Sequence, residues 1–222
     1  MRIPLTKYAV REILLFAGAG MILTLAVLLL AQQLWYLAAV PALATIWVFS
    51  FFRDPERRAP EGGRLILAPA DGRVTHVELI DAPEELGAGG RARRISIFLS
   101  VFDCHLNRAP FACRVEKVVY RRGRFLNALR ATSARENEQS LLVVQAEAVS
   151  RPALVRQVAG VIARRIVCDV RQGDHLAAGQ TFGMIKFGSR TDLLLPADVP
   201  LELSVKVGDH VRAGLTVLGR FV

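Results

Sequence analysis

Between Glu12 and Arg53 the chain carries no charged residue, and after Glu61 the pattern changes to short apolar runs broken by Gly, Pro and Asp. At a rise of 1.5 Å per residue, roughly 20 apolar residues cross a bilayer core, so the first stretch is long enough to cross twice. Its natural break is Gln32-Gln33, beside Trp35 and Tyr36, whose amphipathic rings suit the membrane–water interface. The pattern predicts helices over 13–31 and 34–52, with Pro41 a candidate kink of a kind membranes tolerate. Arg2, Lys7 and Arg11 flank one outer end, and Arg53, Arg57 and Arg58 the other. The positive-inside rule then places both ends at the cytoplasmic face, with residues 54–222 as a cytosolic domain behind a 1–53 anchor. A cleaved signal peptide ending near Ala31 is the competing reading. The first run is long for such a segment, and a second follows at once.

Beyond the anchor, the runs 74–80, 94–101, 113–120, 141–149, 164–170, 201–207 and 216–222 read as short strands. The stretch 153–163 follows Pro152 and sets Val155, Val158, Ala159 and Ile162 at helical spacing, so it reads as a helix, with 124–131 a short second one. The body is thus mainly β, of α+β type and sandwich- or barrel-like. Two segments echo each other: VRQGDHLAAGQTFG from Val170 and VKVGDHVRAGLTVLG from Val205. Each has the order strand, Gly-Asp-His turn, x-Ala-Gly turn, strand, and the pair resembles the hairpins of biotinyl/lipoyl-type β domains. His175 and His210 read as exposed turn residues. Between the echoes, apolar runs 181–187 and 193–195 flank the polar knot Gly188-Ser189-Arg190-Thr191-Asp192, which reads as two strands joined by a tight turn.

The 222 residues give room for one domain and an appendage. Hydrophobic residues make up 52% and mean hydropathy is +0.33, the excess lying in the first quarter. A net charge of +9 suits an anionic membrane surface or anionic substrate. The basic residues are scattered and no Lys/Arg block alternates with aromatics, which weakens the case for nucleic acid. Cys104, Cys113 and Cys168 show no metal-ligand spacing, so no metal is expected, and they fit small buried residues in a reducing compartment.

Three polar signals could carry chemistry. Asp71 stands in the turn Ala68-Pro69-Ala70-Asp71-Gly72, His105 in the stretch FLSVFDCHLNRAP from Phe98, and Ser189 in the polar knot. A carboxylate, an imidazole and a hydroxyl are the set that activates a serine. His76, in a predicted strand after Asp71, is a poor substitute for His105.

With these landmarks the chain resembles phosphatidylserine decarboxylase proenzymes, the short bacterial or archaeal type. The match runs in order through the anchor and Phe52-Arg53-Asp54-Pro55-Glu56-Arg57, then PADGRV, FLSVFDCHLNRAP, Gly123-Arg124-Phe125-Leu126-Asn127-Ala128, Glu136-Asn137-Glu138 and FGSR, across nearly the whole chain. The resemblance implies that the chain breaks between Gly188 and Ser189. The Ser189 hydroxyl attacks the preceding carbonyl, and β-elimination then leaves a pyruvoyl group at the new N-terminus. Residues 1–188 become a large β subunit and 189–222 a small α subunit. These form a heterodimer whose further oligomerisation is left open. The pyruvoyl group, a covalent cofactor derived from Ser189, takes the amine of phosphatidylserine as a Schiff base, acts as electron sink for CO2 loss, and yields phosphatidylethanolamine at the cytoplasmic face of the cell membrane. Asp71 and His105 are the implied partners of Ser189. Many relatives carry a second histidine where this chain has Arg108, so either His105 serves both stages or Arg108 clamps a carboxylate or phosphate. Asn127, Glu136 and Asn137 match a segment near the substrate.

Two other classes compete. A membrane-tethered β carrier could use Lys186, but that lysine lies in a predicted strand while Gly-Ser-Arg holds the tip. A serine hydrolase could use Asp71, His105 and Ser189, but the GxSxG elbow is missing.

Overall fold

Two compact units divide the chain, Met1–Glu56 and Arg57–Val222. In this computed structural model the described residues are 4–30, 32–87, 90–128, 132–160, 165–186 and 189–222. Gly188, and parts of the expected helices and strands at 31, 129–131, 161–164 and 187, lie outside them.

The first unit is a helical hairpin. Helix α1 (Val10–Leu30) and helix α2 (Ala39–Phe51) are joined through the 3-10 stretch Gln32–Ala38. The helical stretches Lys7–Leu30 and Gln33–Phe51 are long and apolar enough to cross a membrane. Their outer faces bare Leu14, Met21, Ile22, Leu30 and Ile46, a surface that hydrocarbon would cover and water would not. The helices touch where α1 has Gly20: a Cβ there would lie 2.0 Å from Thr45 Oγ1. The backbone breaks at Leu34 (φ −115°, ψ 31°), not at Pro41. Pro41 occupies the first turn of α2, where its missing N–H costs no helical hydrogen bond. Thr6 N–H donates to Phe52 O (2.9 Å) and Asp54 N–H to Pro4 O (2.7 Å), so both outer ends of the hairpin meet.

The second unit is mainly β. Its strands are β1 (Leu65–Leu67), β2 (Gly72–Asp81), β3 (Arg91–Leu99), β4 (Leu106–Arg108), β5 (Cys113–Arg121), β6 (Gln139–Ala146), β7 (Pro152–Val158), β8 (Arg165–Cys168), β9 (His175–Leu176), β10 (Thr181–Lys186), β11 (Ser189–Pro196), β12 (Leu201–Leu203), β13 (His210–Val211) and β14 (Val217–Phe221). A one-turn helix, α3 (Ser133–Glu136), precedes β6. Among the described residues the sheets are β13-β2-β3-β11-β7-β6-β5-β9, β1-β14-β12 and β4-β10-β8. The main core gathers Ile95, Ile97, Leu142, Val144, Val155 and Leu193 from one face of the large sheet with Ile66, Phe182 and Leu218 from the small ones.

The sequence echo marks an internal duplication. One half is β1–β3 with β11–β14, the other β4–β10, and each contributes one small sheet and one wing of the large one. Each Gly-Asp turn feeds the bulge of a facing strand. Gly173 N–H donates to Val115 O and Val115 N–H to Asp174 O; Gly208 N–H donates to Val74 O and Val74 N–H to Asp209 O. His175 and His210 open β9 and β13, both exposed. The second half is inserted between β3 and β11, so the chain crosses between halves twice, through 100–105 and through 187–188. His105 closes the first crossing, and Ser189 follows the second.

Three expectations fail. The stretch 153–163 is not helical in its described part: β7 pairs with β6 and β11 along its length. Both of its faces are buried, Ala153, Val155 and Gln157 on one and Leu154, Arg156 and Val158 on the other, which erases the period-two signal. Nor is the described part of the polar knot, Ser189 to Asp192, a turn. Residues Ser189 to Asp192 already pair with β3 on one side, and β10 and β11 lie in different sheets. The described part of 124–131 is likewise non-helical, the only turn of helix nearby being α3.

Candidate active site

One row of the large sheet crosses seven strands through His210, Arg73, Phe98, Arg190, Val158, Gln139 and Arg121. Ser189 stands just beyond it, opposite Leu99. The connections 68–71 and 100–105 and the described parts of 122–138 leave the sheet at this end.

Ser189 opens β11 fully buried, and its Oγ has no hydrogen-bond partner among the described residues. A buried hydroxyl without a partner is costly to keep unless it serves a purpose. Thr191 shares its face and accepts a hydrogen bond from Asn107 Nδ2 (2.9 Å), which ties β4 to β11. Asn107 Oδ1 accepts from Gln157 Nε2 (2.8 Å), carrying the buried network on to β7. Two residues before Asn107, just ahead of β4, stands His105; two residues before Thr191 stands Ser189. Ile185 N–H donates to His105 O (3.1 Å), four residues short of Ser189.

His105 is completely buried. Its Nδ1 lies 3.0 Å from Asp103 O. A carbonyl only accepts, so Nδ1 carries the proton and Nε2 is the basic nitrogen. The Asp103 carboxylate shapes this loop, accepting from Ser100 N–H and Oγ–H (both 2.7 Å). Orientation of the imidazole thus comes from a backbone carbonyl.

Asp71 lies about 10 Å of sheet away from Ser189, on the far side of β3, by the usual strand spacing. Its carboxylate binds Arg57 in a fork, Nη1 to Oδ1 (2.5 Å) and Nη2 to Oδ2 (2.8 Å), and accepts from Ala213 N–H (2.7 Å). Gly72 beside it has φ 142°, and a Cβ there would fall 2.0 Å from Phe98 O. Arg108 is also buried, donating to Gly179 O (3.1 Å) at the turn beside Gly214, toward the Asp71 end of β4. His105 thus ends the segment entering β4 and Ser189 opens β11, two strands of different sheets tied by the Asn107–Thr191 hydrogen bond, while Asp71, Arg57 and Arg108 gather around the turns at Gly179 and Gly214.

The 122–138 connection is fastened to β11. Arg190, buried, donates from Nη1 to Ala128 O (2.8 Å) and Ser133 Oγ (3.1 Å), while its Nε lies 2.9 Å from Asp192 Oδ1. Asp192 also faces Arg156 (3.7 Å), whose pKa burial lowers and Asp192 partly restores. Asn137, buried, donates to Leu126 O and Ala159 O and accepts from Leu126 N–H. Asn127 is exposed, and Glu136 meets Arg124 at 3.4 Å. A Cβ on Gly123 would lie 2.4 Å from Glu136 O, so this loop closes on itself only with glycine there.

Sequence reasoning placed Arg57 only at the flank of the anchor and assigned no role to Asn107, Gln157 or Arg190. Arg57, Asn107 and Arg190 lay inside the quoted motifs. Asn107 was findable as a polar residue two positions from His105; Gln157 was hidden by the helical reading. The cysteines are free, and burial pushes the Cys113 thiol up to about 12 and Cys168 upward as well. No cluster of three or more metal-ligating side chains occurs among the described residues.

Comparison with known proteins places the chain in a family. The family model described as phosphatidylserine decarboxylase matches residues 44–219. A phosphatidylserine decarboxylase proenzyme of Cereibacter sphaeroides is 42% identical over 97% of this chain and 89% of its own length. One from Desulfotalea psychrophila is 42% identical over 96% of each, and one from Beijerinckia indica subsp. indica 45% identical over 91% of this chain and 85% of its own. By the span of the family match and the level of identity, this chain belongs to the phosphatidylserine decarboxylase family.

Proposed function

We propose that the chain is made as a proenzyme that cuts itself between Gly188 and Ser189 and then decarboxylates phosphatidylserine. The observation that carries this is Ser189 itself: buried, unpartnered at Oγ among the described residues, and first in a strand laddered on both sides. The basic Nε2 of His105, just before β4, takes the Ser189 Oγ proton as that oxygen attacks the Gly188 carbonyl carbon. The amide C–N bond breaks, the nitrogen gains a proton, and an ester remains. Loss of the residue-189 Cα proton expels the Gly188 carboxylate and leaves dehydroalanine. Water then replaces its nitrogen, which departs as ammonia, and the ketone of a pyruvoyl group is left.

The residues present fit that group. Residue 189 loses its side-chain donor in becoming a ketone, and a hydroxyl with no hydrogen bond gives up none. When formed, the pyruvoyl carbonyl engages the lipid's primary amine and draws off the electrons freed by departing CO2. This chain's residues do the rest. The β3 and β7 ladders hold residue 189 in place, and the Arg190-fastened loop 122–138 limits water. His105 returns a proton to the substrate carbon. Asp71, held by Arg57 and Ala213, positions the turn entering β2. Residues 189–222 would stay bound as the small subunit, since β11, β13 and β14 pair with strands of the large one. The hairpin of α1 and α2 tethers the catalytic unit to the membrane, and basic residues at both outer ends favour the cytoplasmic side. A carrier role for Lys186 fits less well, because that side chain is buried at the end of β10.

The test is release of labelled CO2 from carboxyl-labelled phosphatidylserine. Wild type should release label, while Ser189→Ala should stay one chain and release none. Undiminished release by Ser189→Ala would refute the reading.

A further inference from the structure

The end of the large sheet that holds Ser189 also carries an exposed aromatic side chain. Phe102 is 74% exposed, the most exposed aromatic side chain among the described residues of the second unit. It does not hang on a loose loop. Ser100 and Asp103 lock the turn that carries it, with Asp103 N–H donating to Ser100 O (3.0 Å) and both Ser100 donors meeting the Asp103 carboxylate. The turn follows Leu99, the residue paired with Ser189.

Around it the surface is basic. Arg73, Arg122 and Arg165 are exposed at this same end, as the strand registers show. Opposing charges there are largely engaged or half-buried: Asp71 with Arg57, Asp103 with Ser100, Glu136 with Arg124, and Glu138 partly covered. The opposite end exposes charges of both signs, Asp81, Glu84, Glu147 and Asp198 beside Arg91, Arg114 and Arg151, with Asp198 paired to Arg151. One end is thus aromatic-tipped and cationic, the other mixed in charge. An exposed aromatic inside a ring of arginines complements an anionic lipid surface, apolar beneath and negative at the headgroups.

We infer that this end docks directly on an anionic bilayer, with Phe102 seated among the acyl chains and the arginines on the headgroups, so that Ser189 faces the leaflet. The inference rests on the lipid-substrate reading above and adds the surface through which the catalytic unit meets its substrate, apart from the anchor. A protein partner on the same face is the other outcome the test allows.

The experiment uses the full chain in vesicles of phosphatidylcholine and phosphatidylglycerol. An environment-sensitive dye is placed at Phe102→Cys, or at Asp198→Cys as control, each in a Cys168→Ser background. Shallow doxyl-labelled lipid should quench the dye at 102 and leave the dye at 198 bright. Kinetics supply the second arm. Phe102→Asp should lose about tenfold in rate on bilayer phosphatidylserine, the order expected for one buried aromatic. It should keep its rate on short-chain, monomeric phosphatidylserine, and Phe102→Trp should restore the bilayer rate. Equal brightness at 102 and 198, or full bilayer activity in Phe102→Asp, overturns the docking surface and leaves that face to a protein partner. Failure of wild type to release CO2 from either substrate would instead overturn the decarboxylase reading, and the quenching at 102 would still decide the docking.

Discussion

Asp192 sits between two buried guanidiniums, and that arithmetic makes it the most sensitive charge in the sheet. Arg190 and Arg156 both lean on this one buried carboxylate, Glu85 adding only a weaker pull on Arg156. Removing Asp192 strands both, whereas removing Arg156 leaves a balanced Arg190–Asp192 pair. Asp192→Asn should therefore cost about 3–5 kcal/mol, while Arg156→Met should be close to neutral. Thermal unfolding of the two variants side by side checks the contrast, and equal losses would refute it. Cys113 gives a pH test. Its thiol is pushed up to about 12 by burial, so at pH 8 it is almost wholly protonated, and the thiolate is the reacting form. Native protein at pH 8 should spare Cys113 from alkylation, and unfolding should expose it to rapid modification, as peptide mapping would show. His105→Ala should lose self-cleavage, turnover or both; retention of each would remove His105 from the site.

At the scale of elements, the contacts that matter are those that let strands pass close. Gly72→Ala would drive a Cβ into Phe98 O, and Gly123→Ala into the backbone of Glu136. Both should lower the melting temperature, and Gly123→Ala should also slow self-cleavage by loosening the loop that Arg190 holds. Strands buried on one face were legible: 74–80, 113–120 and 216–222 each fall within a residue or two of β2, β5 and β14. Strands buried on both faces were not. In β7 the apolar residues recur at spacings that suit a helix as well as a strand, and only pairing to β6 and β11 decides between them. The polar run 189–192 misled for the opposite reason. Polar residues usually mark turns, but here Arg190, Thr191 and Asp192 find buried partners that sequence cannot display.

Over the whole molecule, the position of the site follows from the duplication. One half of the domain is threaded into the other, and the two crossings carry His105 and lead into Ser189. The Gly-Asp echo was readable because each copy meets the same need, a turn that feeds a strand bulge; the threading was not, because it depends on which wing each strand joins. Cutting the second crossing leaves both halves paired through β3, β7, β1 and β2. The fragments should therefore co-elute under native conditions and part only in denaturant. The most direct measurement is the intact mass of an active preparation under such denaturing conditions. The account predicts two polypeptides meeting at Gly188/Ser189, the smaller one lighter by one ammonia than a serine-ended fragment and closed to N-terminal sequencing. A fully active preparation that gave a single unbroken chain would contradict it.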